Sequence, residues 1–388
     1  MTISELPSVG YDRVASKVTT SVGWDSVADK SADPYAANIT FWHPLRTDLN
    51  LAVGSGSVTF TGPANRSYVD PSSGLVKFVG ANIPRFEDRG LLLEGSIEQY
   101  FLATEDFSDP VWLTDGIITT GFTDPSGGTA AAKLEITTGT TAAVTQDLTL
   151  ISSGNQKTVS FWAKAGSSSS VRLGFAFGTL ETLTLTSTWA RYKVEYPVTI
   201  TDFPAIEVDG DVGDYIYIAF PQCENRRFST SYFKNASNTV LATRAAETVS
   251  IPAGTNVPSA ASDYSMACTL THLGYRDAPL AQIGVHIVGE TTRDIRAKRH
   301  GADETQIQAG TTAIAGPALV DVGCSRILFT KDATNVNMYQ DGVHIASAAT
   351  TAMAGAPTSI SYSTGVDSEL YGHLRDVKFW NTVVSSDQ

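Results

Sequence analysis

The all-β character of this chain is clearest in the stretch Val159-Ser-Phe-Trp-Ala-Lys164, where Val159, Phe161 and Ala163 share one face of a strand. The same period of two recurs in Val171–Phe177, so we expect each stretch to be a half-buried strand. Asp214-Tyr-Ile-Tyr-Ile-Ala-Phe220 is apolar on both faces instead. That pattern predicts a central strand that is buried on both sides.

Similar strands recur along the chain at intervals of roughly ten residues, with Gly, Ser and Pro between them. This predicts an all-β fold of tandem antiparallel β-sandwich (jelly-roll) domains. Asp70-Pro-Ser-Ser-Gly74 and Asp341-Gly342 are typical of tight turns, the second of a hairpin with positive φ. Leu374, Val377 and Phe379 break strict alternation, which predicts a bulge at Arg375-Asp376.

The domain organisation predicted from these patterns has four parts. Residues 1–36 lack periodicity and are expected to form an extended N-terminal arm that orders on a partner. Residues 37–95 form a small β region. Residues 96–235 and 236–388 each form a jelly roll.

Composition and charge exclude several classes of function. The chain has 388 residues, of which 42% are hydrophobic and 17% charged, and its net charge is −13. An acidic chain without a basic stripe is not expected to bind nucleic acid, since Arg293–His300 is short and holds an Asp. We also expect no membrane insertion, because no apolar run is long enough.

The three cysteines, Cys223, Cys268 and Cys324, are too few for a disulfide framework or a metal cluster. Each has apolar neighbours in the sequence, so we predict small buried side chains. Free thiols agree with folding in a reducing cytoplasm.

The sequence contains no phosphate-binding glycine-rich loop, no serine-hydrolase nucleophile motif and no zinc-protease motif. We therefore predict that the protein is not an enzyme. A glycosidase needs two carboxylates across a cleft, and distant strands could still supply them. The acidic stretch is interpreted as solvated loops and turn caps: Glu94, Glu98, Glu105, Asp106, Asp109 and Asp115. The scattered histidines are interpreted as structural: His43, His272, His286, His300, His344 and His373.

Aromatic side chains that stack on sugar rings are the main candidates for a binding site. The candidates are Trp112, Trp162, Trp189, Tyr192, Tyr215, Tyr217, Tyr275 and Tyr339. Trp162 and Trp189 are favoured because they lie opposite apolar faces. Tyr275, Arg276 and Asp277 share one predicted loop of the last jelly roll. This domain is the favoured location of a sugar site, because a terminal domain lies at the tip of a protein that is held by its N-terminus.

No cofactor is expected, with one alternative. Asp209-Gly-Asp-Val-Gly-Asp214 places Asp209, Asp211 and Asp214 in one loop, and calcium favours such oxygen clusters. The same residues also make good turns without any metal.

Three runs before residue 95 form a recognisable pattern: Val58-Thr-Phe-Thr-Gly-Pro-Ala-Asn-Arg-Ser-Tyr-Val-Asp-Pro-Ser-Ser-Gly-Leu75, Ile83-Pro-Arg-Phe86 and Arg89-Gly-Leu-Leu-Leu-Glu94. Together they resemble a recurrent opening of tailed-phage tail and virion proteins. The chain departs from the family pattern at Gly62-Pro-Ala-Asn65, where that pattern has Arg-Ala-Ser.

The rest of the chain resembles two further domain types. Tyr100–Trp112 resembles the opening of a carbohydrate-binding-module-like jelly roll, and Thr243-Arg-Ala-Ala-Glu247 resembles the lead into a third domain. That domain is similar to concanavalin A-like (laminin-G-like) jelly rolls, through Met338–Val343 and Gly372–Trp380.

The resemblance implies a phage structural protein with glycan-binding-type folds and implies no particular ligand. We expect a fibre- or spike-like appendage that binds host cell-surface polysaccharide. We expect the arm, residues 1–36, to dock on other virion proteins, and the terminal domain with the Tyr275 loop to form the tip. A homo-oligomer, a trimer held by sheet faces, is expected in the virion after synthesis in the host cytoplasm. The alternatives are a head or tail decoration protein that contacts other subunits, and a polysaccharide-degrading enzyme.

Overall fold

The computed structural model describes residues 36–147, 157–175, 180–196, 204–226, 228–273, 281–290, 293–299, 303–318, 324–350, 355–363 and 369–385. The predicted arm, residues 1–36, lies outside this part except for its last residue. The chain divides into two compact units. Unit 1 comprises Glu98–Arg244, and unit 2 comprises the described residues up to Ile97 and from Ala245 onwards.

The described residues form antiparallel strands, with one 3-10 helix at Ala36–Asn38. The strands are β1 (Ile39–His43), β2 (Thr59–Thr61), β3 (Arg66–Val69), β4 (Val76–Val79), β5 (Arg85–Glu87), β6 (Gly90–Leu93), β7 (Ile97–Gln99), β8 (Leu113–Thr114), β9 (Ile117–Phe122), β10 (Ala131–Glu135), β11 (Thr141–Thr145), β12 (Lys157–Ala165), β13 (Ser170–Phe175), β14 (Leu180–Thr184), β15 (Ala190–Tyr196), β16 (Pro204–Asp209), β17 (Tyr215–Glu224), β18 (Ala242–Arg244), β19 (Thr248–Pro252), β20 (Tyr264–His272), β21 (Ala281–Glu290), β22 (Arg293–Arg299), β23 (Asp303–Ala309), β24 (Thr312–Ala318), β25 (Cys324–Lys331), β26 (Asn335–Gln340), β27 (Val343–Ala349), β28 (Gly355–Tyr362) and β29 (Gly372–Trp380). The all-β prediction is confirmed. Within the described residues, no helix has the length and apolarity to cross a membrane.

Unit 1 is a sandwich of two five-stranded sheets. The front sheet has the strand order β15-β12-β17-β10-β9, and the back sheet has the order β14-β13-β16-β11-β8. Their facing side chains form one core, to which Phe161 and Ile218 contribute from the front sheet and Leu173 and Val208 from the back sheet. The period of two in these strands thus places one face of each sheet inside.

Unit 2 is a larger sandwich. One sheet has eight strands in the order β27-β26-β25-β20-β29-β6-β5, with β1 also paired to β29. The other sheet has seven strands in the order β2-β19-β28-β21-β22-β23-β24. Phe329 and Phe379 from the first sheet pack with Val285 and Ile360 from the second in a single core.

Residues 37–95 do not form a region of their own, which differs from the predicted organisation. Strands β1 and β6 pair with β29, and β2 pairs with β19, so this segment completes both sheets of unit 2. Its apolar side chains Phe41, Phe60 and Leu91 are buried in the unit 2 core. The physical reason is size, because such short strands cannot bury a core alone.

The predicted turns and bulge are confirmed. Asp341 and Gly342 have φ of 51° and 84° and join β26 to β27 in a two-residue hairpin. Gly74, with φ of 68°, donates its N–H to the carbonyl of Asp70 over 2.8 Å. Asp376 has φ of 52°, where the register between β20 and β29 shifts by one residue.

The prediction for the cysteines is confirmed in part. Cys223 and Cys268 are buried, and burial raises the pKa of the Cys223 thiol to about 12. Cys324 is exposed, so its prediction was wrong. Cys324 opens β25 at the end of the strand, where apolar neighbours in sequence do not imply a position in the core.

Candidate functional site

The front sheet of unit 1 carries a line of polar and aromatic side chains on the face turned away from the core. Tyr217 in β17 is the register partner of Lys133 in β10 on one side and of Lys164 in β12 on the other. Thr119 in β9 continues the line beyond Lys133. Directly opposed residues of antiparallel strands share a face at about 5 Å between Cβ atoms, so the line crosses four strands.

The alternation of each strand explains why this face is open. Leu134, Ile216 and Ile218 fill the sandwich core. Their neighbours Glu135 and Tyr215 therefore lie on the outer face, where they are register partners and half-buried. A second line of side chains runs beside the first.

The aromatic rings on this face contact one another. The ring centroids of Phe122 and Tyr217 are 5.1 Å apart, and those of Tyr215 and Tyr217 are 5.5 Å apart. Both pairs have the edge-to-face geometry that aromatic rings prefer. We call this surface the aromatic face, defined by Phe122, Lys133, Glu135, Lys164, Trp189, Tyr215 and Tyr217.

Two lysines lie against the rings. Lys133 Nζ is 5.2 Å from the Tyr215 ring centroid and forms an ion pair with Glu135, which raises the pKa of Lys133. Lys164 Nζ lies 4.8 Å from the Tyr217 ring and 5.1 Å from the Trp189 ring. Cation–π attraction at these distances stabilises both ammonium groups over the rings.

The backbone beside Tyr215 is shaped to accommodate its ring. A Cβ atom on Gly166 would lie 2.4 Å from Tyr215 Cδ2, so only glycine leaves the ring in place. Desolvation and a hydrogen bond with Tyr215 raise the pKa of Tyr217. The Tyr217 hydroxyl therefore stays neutral at physiological pH and can still donate a hydrogen bond.

The arrangement combines apolar ring faces with hydrogen-bonding groups on an open sheet. Sugars offer the matching chemistry, because a pyranose ring has an apolar face surrounded by hydroxyl groups. Tyr hydroxyls, the Lys133 ammonium and the Glu135 carboxylate are the donors and acceptors that could hold such hydroxyls.

The structure separates the two tryptophans favoured by the sequence. Trp189 is half-buried on the aromatic face. Trp162 lies on the same outer side of the sheet but is only 8% exposed, so its predicted exposure was wrong. Its cross-strand partner Arg191 donates to the carbonyl of Thr230, 39 residues further along the chain.

Three other candidate aromatics do not belong to the aromatic face. Trp112 is in the unit 1 core and donates its indole N–H to the carbonyl of Ala103 over 3.1 Å. Tyr192 packs on Phe161 at the edge of the same core. Tyr339 lies in unit 2, where it contacts His344.

The remaining predicted site residues have different outcomes. Tyr275, Arg276 and Asp277 lie outside the described residues, and their sugar site stays a prediction. Among the described residues, no group of three or more His, Cys, Asp or Glu side chains is arranged to hold a metal ion.

The loop of the calcium prediction is described and is closed by its own hydrogen bonds. The Asp214 carboxylate accepts from the backbone N–H of Asp211 over 2.9 Å and from the Ser167 hydroxyl, which lowers the pKa of Asp214. Asp209 lies at the end of β16. This geometry is that of a tight turn.

Four charged residues, from the sequence motifs before residue 95 and from Thr243–Glu247, are buried together in unit 2. Arg85 bonds Glu94 over 2.8 Å and also pairs with Glu247, which in turn pairs with Arg66. All four side chains are fully buried. Their role in the structure is to hold together segments that are distant in sequence, and they leave no charge exposed for a ligand.

Sequence reasoning named Tyr215, Tyr217 and Trp189 but missed Phe122 and the charged residues. The alternation Lys133-Leu-Glu135, next to an apolar partner strand, could have indicated that these two charged side chains share the outer face of a sheet. Cross-strand register, which brings these residues to Tyr217, cannot be read from one sequence.

No protein-family model matches the chain, and no curated protein matches it. Among solved structures, it is similar to Trypanosoma rangeli sialidase in complex with 2,3-difluorosialic acid (14% identity, TM-score 0.27, 33% of this chain). It is also similar to the CBM22-1-CBM22-2 tandem domain of Paenibacillus barcinonensis Xyn10C (9%, 0.26, 75% of this chain and 99% of that one). A third is the LG4-5 domain pair of mouse laminin alpha1 (11%, 0.24, 68% and 91%).

The match spans only 22% of the sialidase chain. At such TM-scores these likenesses are too weak to support a statement about fold or function.

Proposed function

We propose that this protein is a non-enzymatic glycan-binding protein and that unit 1 holds saccharides on the aromatic face. The observation that supports this is the row of half-buried rings, Phe122, Tyr217 and Trp189, with ammonium and carboxylate groups beside them. Stacking on the rings would supply affinity, and the polar groups would select hydroxyl patterns.

The test is a glycan array probed with the purified chain, followed by affinity measurement for the saccharides that bind. Replacing both Tyr217 and Trp189 by Ala should weaken binding at least about thirtyfold, since truncating a central aromatic contact costs about 2 kcal/mol or more. Tyr339→Ala is the matched control, because Tyr339 is a half-buried strand tyrosine of unit 2. Unchanged binding by the folded double variant would refute the proposed site.

The biological setting we propose is the virion of a tailed phage, with the protein as a fibre- or spike-like appendage that binds host surface polysaccharide. Support comes from the sequence motifs around Ile83-Pro-Arg-Phe86 and Arg89–Glu94. In this proposal residues 1–36 attach a homo-oligomer, a trimer, to other virion proteins, and synthesis takes place in the host cytoplasm.

Deletion of residues 1–36 tests the attachment role. The truncated chain should keep its thermal unfolding transitions and its glycan binding, but fail to enter particles. Normal incorporation of the truncated chain would argue against the arm as the anchor. A full-length chain that binds purified particles but no glycan would favour the decoration protein instead.

A further inference from the structure

Lys164 is the uncompensated positive charge of the aromatic face. The other lysine, Lys133, is neutralised by its ion pair with Glu135. Within the described residues, no carboxylate pairs with Lys164, whose ammonium contacts only the rings of Tyr217 and Trp189. A ring face attracts the ammonium but accepts no strong hydrogen bond, so its N–H donors remain available.

The position of this ammonium matters for a ligand. Lys164 Nζ lies between two rings, 4.8 Å from Tyr217 and 5.1 Å from Trp189. A sugar that stacks on either ring would therefore bring its ring substituents close to the ammonium. Lys164 is half-buried, which weakens the screening of its charge by solvent and salt.

The rest of the molecule is acidic. At a net charge of −13, the surface as a whole repels anions. An anionic ligand would be held only where a local positive charge offsets that repulsion. On the aromatic face that charge is Lys164.

We propose that the ligand of the aromatic face is an anionic glycan, a saccharide with a carboxylate or sulfate substituent, and that Lys164 is the residue that selects it. This inference rests on the proposed glycan binding. A charge-assisted hydrogen bond between the ammonium and the anion would favour the acidic form of a sugar by about tenfold to a hundredfold over the neutral form.

The experiment compares matched pairs of saccharides on the full chain. One pair is oligogalacturonate and the same oligomer after reduction of its carboxyl groups. The other pair is a sulfated galactan oligomer and its desulfated form. Dissociation constants are measured for the wild type, for Lys164→Gln, and for Lys193→Gln as a control, because Lys193 is a front-sheet lysine already paired with Glu195 over 2.8 Å.

The wild type and Lys193→Gln should bind at least one acidic saccharide at least about tenfold more tightly than its neutral partner. Lys164→Gln should remove that preference, so that it binds the acidic and the neutral form with equal affinity, and should keep the thermal transition. A preference in the galacturonate pair would identify the anionic group of the ligand as a uronate carboxylate, and a preference in the galactan pair would identify it as a sulfate ester.

Three outcomes would overturn the inference. If acidic and neutral forms bind with equal affinity, or if Lys164→Gln keeps the preference, the selection by Lys164 is wrong while glycan binding stands. If no saccharide of either pair and none on the array binds, the inference and the proposed function fail together.

Discussion

Single residues in this protein show how burial changes chemistry. His43 is fully buried in unit 2, and its Nδ1 lies 3.1 Å from the Tyr362 hydroxyl. Desolvation lowers the pKa of His43 from 6.5 to about 4, although a backbone hydrogen bond and Asp48 act in the opposite direction. The folded protein thus keeps this imidazole neutral at pH values where the unfolded chain would be protonated.

The free energy of unfolding of unit 2 should therefore fall as the pH drops from 6.5 towards 4. The unfolded state binds more protons in this window, so acid favours unfolding, by about 3 kcal/mol at the lower limit. Denaturant unfolding at several pH values measures this slope. His43→Asn should flatten it, and the exposed His344→Asn should leave it unchanged. A wild-type slope that His43→Asn leaves unaltered would contradict the assignment.

Individual elements were predictable to the extent that local patterns determine them. The Asp341-Gly342 hairpin and the bulge at Asp376 follow from turn chemistry and broken alternation. The run Tyr215–Phe220 is correctly placed at the centre of a sheet, but Tyr215 and Tyr217 face outward on the aromatic face, so this part of the strand is buried on one side only. Trp162 was mispredicted: it is buried where its cross-strand partner Arg191 bonds Thr230, 39 residues further along the chain. Long-range pairing is what one sequence does not reveal.

The loop after β12 provides a test of how the backbone shapes the aromatic face. Gly166→Ala places a Cβ atom 2.4 Å from the Tyr215 ring and from the Tyr215 carbonyl, so both must move. Glycan affinity should fall about tenfold through a displaced ring. In a Tyr215→Ala background part of this loss should disappear, because the clash with the ring is gone while the clash with the backbone carbonyl remains. Fully additive losses in the double variant would show that Gly166 does not act through Tyr215.

The buried ion pairs of Glu247 with Arg66 in β3 and Arg85 in β5 lead to a prediction about stability. Glu247→Gln leaves Arg66 and Arg85 short of a buried counter-charge, which should cost unit 2 about 3–5 kcal/mol of stability. The exposed pair of Lys193 and Glu195 supplies the control, since Glu195→Gln should change stability by less than about 1 kcal/mol. Chemical denaturation measures both, and a loss below 1 kcal/mol for Glu247→Gln would show that the network contributes little.

At the scale of the whole molecule, unit 1 is an insertion between the two halves of unit 2. Unit 1 has a core of its own, whereas the unit 2 core needs Phe41 and Leu91 as well as the residues from Ala245 onwards. The sequence analysis did not predict this insertion. It placed a domain boundary after residue 95, close to the point where the chain leaves unit 2, and the chain returns to unit 2 at Ala245.

Fragments should behave accordingly. Residues 98–244 expressed alone should unfold cooperatively and bind glycans like the full chain, since both front and back sheets are present. Residues 245–388 alone should not fold, because three strands of their eight-stranded sheet are missing. Circular dichroism and calorimetry distinguish the two cases. A cooperative transition in the 245–388 fragment would contradict the dependence on the first segment.

The pairing of β1 with β29 has a consequence for synthesis on the ribosome. Thr40 Oγ1 donates to the carbonyl of Phe379 over 3.5 Å, across 339 positions of the chain. Strands β1 and β6 of unit 2 therefore emerge from the ribosome long before their partner strand β29 has been translated. Contacts this distant in sequence slow folding and expose the nascent protein to aggregation. The inserted sandwich is complete well before then, so it can fold first and shorten the effective loop that the last strands have to close.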